Sequence, residues 1–237
     1  MAVVGPTGSG KSTLLALLPR IYDPQEGAIL LDGVPLTAYD LADLRRVIGV
    51  VPQDPFLFST TIGDNIALGI DLEERITHSA PQGPAEDPDE AVAEAARIAQ
   101  LDESIQDFPK GYETLLGERG INLSGGQKQR ATLARAVARD PTVLILDDAL
   151  SAVDTHTESR ILDDLKEVMK GRTSFIISHR VSAVMDADLI LVLDEGRIVE
   201  RGRHADLVAL GGTYATLLRR QMLERDLESE VVAAGGD

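Results

Sequence analysis

From Gly5 to Ser12 the chain reads Gly-Pro-Thr-Gly-Ser-Gly-Lys-Ser, in which Gly5 and Gly10 bracket a short run that is followed by a lysine and a serine. No other stretch restricts the fold as strongly. Glycines at this spacing let successive backbone N–H groups turn toward one point, and a helix starting at Lys11 adds the positive end of its dipole. Such a loop belongs between a strand and a helix. Met1–Val4 ahead of it is an apolar, β-type run, and Thr13-Leu14-Leu15-Ala16-Leu17-Leu18 continues it as a helix. The ligand that suits this geometry is an anion, above all a phosphate.

The pattern is that of a P-loop. Gly5, Pro6, Thr7, Gly8, Ser9 and Gly10 then form the phosphate cradle, with Thr13 on the first helical turn among the contacts. Lys11 is expected to reach the β and γ phosphates of a nucleotide, and the Ser12 hydroxyl to ligate Mg²⁺. A second half of the site lies far downstream. Val143-Leu144-Ile145-Leu146 reads as a buried strand ending in Asp147 and Asp148. Asp147 is placed to hold the Mg²⁺ shell, and Asp148 stands where a carboxylate could orient an attacking water.

Short apolar runs alternate with helical stretches, the pattern of a parallel sheet covered by helices, so the fold class is α/β. The strands expected are Met1–Val4, Ala28–Leu31, Val47–Val51, Val143–Leu146, Ser174–Ile177, Leu189–Leu193 and Arg197–Glu200. Helices are expected over Lys11–Ile21, Pro88–Ala99, Ser124–Arg139, Thr157–Met169, Val181–Asp186 and Thr213–Glu224. Residues 1–52 and 143–212 read as the ATPase core. The intervening 53–142, too long for an ordinary crossover, reads as an inserted helical subdomain. Asp71–Glu90, with its prolines and acids, is expected to be a solvated loop, and 213–237 to be a helix ending in a frayed acidic tail from Glu228. The formal charge of −16 argues against extended binding to nucleic acid, and the absence of cysteine excludes thiolate metal sites and thiol catalysis. No run approaches the length of a membrane-spanning helix, so the isolated chain is expected to be soluble.

Further motifs resemble those of one family. Leu123-Ser124-Gly125-Gly126-Gln127 resembles the signature motif of ATP-binding cassette (ABC) proteins, and Asp147-Asp148 follows at a family-like distance. Gln53, after Val50-Val51-Pro52, resembles the Q-loop, Ser151-Ala152-Val153-Asp154 the D-loop, and His179 the switch histidine. The resemblance implies ATP and Mg²⁺ as cofactors. It places Gln53 with Ser12 and Asp147 around the metal, and Asp148, His179 and Gln53 in catalysis. It also makes Ser124, Gly125, Gly126 and Gln127 a clamp on the ATP of a second cassette, paired head to tail. Ser124 can cap its helix at the same time. His78, His156 and His204 have no such context. Gly117-Glu118-Arg119-Gly120 resembles the X-loop of exporters, and Phe56 to Ile66 the exporter stretch that docks on transmembrane coupling helices. The chain is therefore expected at the cytoplasmic face of the cell membrane, held by transmembrane domains; core packing is the competing reading of Phe56 and Phe58.

Two departures from the family pattern matter. The family usually carries Glu where this chain has Asp148. The two residue types have similar intrinsic basicity, but the shorter carboxylate falls one methylene short, and a displacement of about 1 Å in a catalytic group can cost on the order of 100-fold. A slow site beside an intact signature motif resembles the degenerate-site half of a heterodimeric exporter, with a partner that keeps its Glu. The family also places an adenine-stacking aromatic and a small antiparallel sheet upstream of the P-loop. This sequence starts only four residues before Gly5, and Tyr22 and Tyr39 do not match that motif. The expectation is a fragment, a mis-set start or a pseudogene product that binds ATP weakly on its own.

Overall fold

The computed structural model describes residues 1–70, 88–117 and 122–234. Strands in chain order are β1 (Ala2–Val4), β2 (Leu30–Leu31), β3 (Val34–Pro35), β4 (Ile48–Val51), β5 (Val143–Asp147), β6 (Thr173–Ile177), β7 (Ile190–Asp194) and β8 (Arg197–Gly202). The helices among the described residues are α1 (Lys11–Ala16), α2 (Leu41–Arg46), α3 (Ile62–Ala67), α4 (Pro88–Ile98), α5 (Asp102–Gln106), α6 (Gly125–Ala138), α7 (Thr155–Met169), α8 (His204–Leu210) and α9 (Thr213–Ala234). The chain divides into two compact units, Met1–Thr37 with Phe175–Asp237, and Ala38–Ser174.

In the first unit β1 runs parallel to β6 on one side and to β7 on the other. It is buried on both faces, as a central parallel strand must be: Ala2 and Val3 are 0% exposed and Val4 3%. Alternate positions on β1 and β7 project to one side. Ala2, Val4, Ile190 and Val192 pack there with Val181, Val184, Leu207 and Tyr214. β8 returns antiparallel to β7 through Glu195-Gly196, at φ 45° and 74°, the positive angles a two-residue hairpin with right-handed strand twist requires. Glu200 on β8 accepts hydrogen bonds from the main-chain N–H groups of Thr213 and Tyr214, so an anion sits at the positive end of α9.

In the second unit β4 and β5 pair in parallel, Ile48 opposite Val143 through Val51 opposite Leu146. α6 packs by small residues, among them Ala131, Ala134 and Ala136, all buried. Its last turn meets the chain after α3 so closely that a Cβ on Gly69 would lie 2.0 Å from Arg135 O. Arg139 just beyond it donates to the carbonyls of Arg46 and Arg45 at 2.9 and 3.0 Å, closing the C-terminus of α2.

The α/β reading holds, with antiparallel β8 making the sheet mixed. Several boundaries differ from expectation. The first helix stops at Ala16, not Ile21: Pro19 disfavours helix in the residue before it, the turn tightens to Leu18 N–H→Leu15 O at 3.1 Å, and Arg20 adopts φ 51°. Val181–Asp186 contributes a single 3₁₀ turn, Val181–Ala183. Ala28–Leu31 shrinks to a two-residue strand paired with Val34–Pro35. Within the expected tail, residues 228–234 are instead helical, since α9 runs through Ala234, and 235–237 lie outside the described residues. Most of the expected acidic loop, residues 71–87, lies outside the described residues, while 88–90 open α4. No helix among the described residues is long and apolar enough to cross a membrane.

Candidate functional site

The glycine loop at Gly5–Ser12 is built as its sequence demands. It leaves β1 at Gly5 (φ 150°) and reaches α1 through Gly8 (φ 81°) and Gly10 (φ 97°). Close approach makes Gly5 necessary, because a Cβ there would stand 2.0 Å from the main-chain oxygen of Leu193 on β7. The β7–β8 hairpin braces the loop from the far side, with Gly196 N–H donating to Ser9 O at 3.1 Å. Within the loop Ser9 N–H donates to Pro6 O at 3.2 Å. Lys11 Nζ donates back to Gly5 O at 2.9 Å and Pro6 O at 2.8 Å, which holds the ammonium against the loop. Ser9 is 4% exposed, and its Oγ finds no hydrogen-bond partner among the described residues. A buried orphan hydroxyl in a glycine-lined loop is what a phosphate-binding cradle leaves to its ligand. Pro6, Thr7 and Gly8 are exposed, as are Ser12 and Thr13 on the first turn of α1.

His179 belongs to the same unit. Ile177 on β6 is in register with Val3 on β1, so His179 and Gly5, each two residues further on, leave the sheet at the same carboxyl edge. Ligands of α/β sheets bind at that edge. His179 is exposed, which separates it from the ordinary buried core histidine. Its loop is kept in shape by Arg180 N–H→Ser178 Oγ at 2.9 Å and by Val181 N–H→Gln221 Oε1 at 2.7 Å from α9.

The second unit repeats the arrangement with different chemistry. Val51 pairs with Leu146, so exposed Gln53 and half-buried Asp148 leave β4 and β5 at one carboxyl edge, with Asp147 at the end of β5. Asp148 has φ 49°, a left-handed backbone that Asp and Asn tolerate better than longer side chains. The donors that this edge offers a metal, an aspartate carboxylate and a glutamine amide oxygen, are hard oxygens of the kind Mg²⁺ selects.

α6 starts at Ser124 with a complete capping box. Ser124 Oγ accepts from Gln127 N–H at 3.2 Å, and Gln127 Oε1 accepts from Ser124 N–H at 2.9 Å. Gln127 is thus engaged by its own helix terminus, while Ser124 and Gly125 are exposed at the dipole's positive end. Ser124→Ala should lower stability by about 1 kcal/mol, read as a lower urea midpoint at unchanged slope. At the end of Ser151–Asp154, Asp154 caps α7 by accepting from Thr157 N–H at 3.0 Å. Hydrogen bonds from Thr157, the main-chain N–H first, hold the Asp154 carboxyl below the usual range.

Phe56 and Phe58 are not core. They are 47% and 49% exposed and stack edge to face at 5.0 Å. What is buried beside them is Asn65 of α3, 0% exposed, which exchanges hydrogen bonds with Phe58 N–H and O at 2.8 and 3.0 Å. Arg135 of α6 completes this bracket by donating to Asn65 O and Oδ1, both at 2.7 Å, and to Phe56 O at 2.9 Å. Its guanidinium also lies 5.7 Å from the Phe58 ring, and burial lowers its pKa. Of the expected X-loop, Glu118, Arg119 and Gly120 lie outside the described residues.

Sequence reasoning missed Gln129, Asn65, Arg135 and Gly196. For Gln129 a signal existed: it shares a helical face with Thr132 and Leu133, so a polar side chain stands at a core position of the 3.6-residue pattern.

Comparison with known proteins gives a consistent answer. The sequence profile of the family described as ABC transporter matches residues 1–151. The Bacillus subtilis uncharacterized ABC transporter ATP-binding protein YknU is 51% identical over 214 residues, which cover 90% of this chain and 34% of that protein. The ATP-dependent lipid A-core flippase of Hahella chejuensis is 46% identical, covering 95% of this chain and 36% of the flippase. The solved structure of a bacterial Atm1-family ABC exporter with ATP bound matches with a TM-score of 0.84 at 45% identity, over 93% of this chain and 36% of that one. The chain spans about a third of the length of the curated relatives it matches.

Proposed function

The chain belongs to the ABC transporter family, and from that premise we propose that it is the ATP-hydrolysing cassette of an exporter. The observation that carries the proposal is the loop at Gly5–Ser12, with its glycines at positive φ, its buried orphan Ser9 Oγ and its anchored Lys11. In this reading the loop N–H groups and Lys11 hold the β and γ phosphates of ATP. Ser12, Asp147 and Gln53 hold Mg²⁺, which when bound neutralises phosphate charge. Asp148 orients the water that attacks the γ-phosphate, and His179 contacts that phosphate from the neighbouring loop.

Exposed Ser124 and Gly125 would meet the nucleotide of a second cassette, so two ATPs would be sandwiched head to tail. Support comes from the exposure of Ser124 and Gly125 at the N-terminus of α6, the positive end of its dipole. Exposed Phe56 and Phe58, bracketed by Arg135, would be the surface that meets membrane-spanning domains at the cytoplasmic face. With Asp148 one methylene short, the chain's own site hydrolyses slowly, and its signature residues complete the faster site of a Glu-bearing partner.

The test is ATP hydrolysis by the full-length protein, alone and co-assembled with a cassette that has Glu at the position of Asp148. Co-assembly should raise turnover about tenfold or more over the protein alone. Equal rates in both states would rule out the slow-site assignment. Failure to bind ATP in either would rule out the cassette reading.

A further inference from the structure

Gln129 is 3% exposed in the first half of α6, and no role assigned so far uses it. Both ends of its amide are committed. Oε1 accepts from Ala152 N–H at 2.8 Å, and Nε2 donates to Ser151 Oγ at 2.8 Å. The main-chain N–H can only donate, so it fixes which way round the amide sits. One turn earlier, Gly126 admits the same loop at very short range, since a Cβ there would stand 2.8 Å from Ala152 O. Residues 126 and 129 share one face of the helix, and that face is shaped to hold Ser151 and Ala152.

The held loop is itself tied to Asp148, whose carbonyl accepts from Ser151 N–H at 3.2 Å. A continuous string therefore runs from Asp148 through Ser151 to Gln129, then along α6 to Ser124. All of it lies within the Ala38–Ser174 unit.

We propose that Gln129 is a positioning residue that couples the two nucleotide sites of a cassette pair. The inference rests on the reading above, in which Asp148 serves the chain's own nucleotide and Ser124 the partner's. With the amide clamp in place, a shift of the Asp148–Ser151 turn carries the N-terminus of α6 with it, so each site senses the state of the other. With the clamp gone, loop and helix respond separately.

The experiment uses the full-length protein co-assembled with its partner cassette, with ATP as the probe. Gln129→Leu keeps the volume and removes both hydrogen bonds. Gln129→Glu keeps both, because a carboxylate accepts from Ala152 N–H and from the Ser151 hydroxyl turned to donate. Gln129→Leu should lower kcat about tenfold with KM within about twofold, and bring the Hill coefficient for ATP down to about 1. Gln129→Glu should restore at least about half of the kcat and the cooperativity. An unchanged Hill coefficient in Gln129→Leu overturns the proposal whatever happens to its melting temperature, and so does a Gln129→Glu variant as impaired as Gln129→Leu. Lys11→Ala run in parallel separates the two levels. If it abolishes single-turnover hydrolysis at the chain's own site while Gln129→Leu behaves as the parent, the coupling role alone fails. If Lys11→Ala leaves single-turnover hydrolysis at that site normal, the ATPase reading fails and the coupling role falls with it.

Discussion

Replacing Lys11 with alanine should cut single-turnover ATP hydrolysis at the chain's own site about 100-fold or more while leaving the melting temperature almost unchanged. The side chain folds back along the phosphate loop, its Nζ donating to Gly5 O at 2.9 Å and Pro6 O at 2.8 Å. An ammonium held there is preorganised: it can exchange those carbonyls for phosphate oxygens with little movement of its stem. Hydrogen bonds between charged groups contribute about 1.5–3 kcal/mol each, so losing two removes at least about 3 kcal/mol from the bound phosphates. At about 1.36 kcal/mol per factor of ten, that exceeds 100-fold. The two carbonyls released by the substitution lie at a partly exposed loop and can turn to water. Phosphate release and thermal melting measured on one preparation decide the matter. Retained hydrolysis would remove the Gly5–Ser12 loop from the mechanism, whereas a collapsed melting temperature would show that Lys11 holds the fold instead.

Asp148→Glu should act in the opposite direction, raising single-turnover hydrolysis at the chain's own site by about 10- to 100-fold. On the proposed reading the added methylene supplies reach that the Asp148 carboxylate is short of. The backbone sets a counterweight. Asp148 sits at φ 49°, where left-handed conformation costs ordinary L residues about 1–2 kcal/mol and where a short polar side chain is better tolerated. Glutamate there should therefore cost stability, by under about 1 kcal/mol, as it gains rate. The paired measurements are pre-steady-state phosphate release and the urea midpoint. A rate unchanged by Asp148→Glu would mean that side-chain length does not limit this site.

The elements legible in the sequence were those announced locally. β1, β4, β5, β6 and β7 lie within a residue or so of the apolar runs that marked them, and α4, α6 and α7 follow their amphipathic periods. Short helices were missed: α2, α3, α5 and α8 span seven residues or fewer, too few turns for a period to show. Two carried start signals nonetheless. Asp40 accepts from Ala42 and Asp43 N–H ahead of α2, and Thr61 with Asp64 forms a capping box at α3. The apolar run from Thr13 to Leu18 points to a longer first helix, but the steric effect of Pro19 decides where the helix ends.

What this chain's sequence determines by itself is the glycine loop at Gly5–Ser12, the order of strands and helices, and the Ser124 cap. Each rests on forces acting within a few residues: glycine's freedom at Gly5, Gly8 and Gly10, the helix dipole at Lys11, and the reciprocal bonds of Ser124 with Gln127. What only tertiary structure decides is how distant segments are held together. The left-handed turn at Asp148, the exposure of Phe56 and Phe58, and the bonds of Gln129 to Ser151 and of Arg135 to Asn65 join residues 22 and 70 positions apart in the two bonded pairs. No local propensity encodes such pairs, because their free energy arises only when burial strips water from both partners and leaves each the other's hydrogen bond as its replacement.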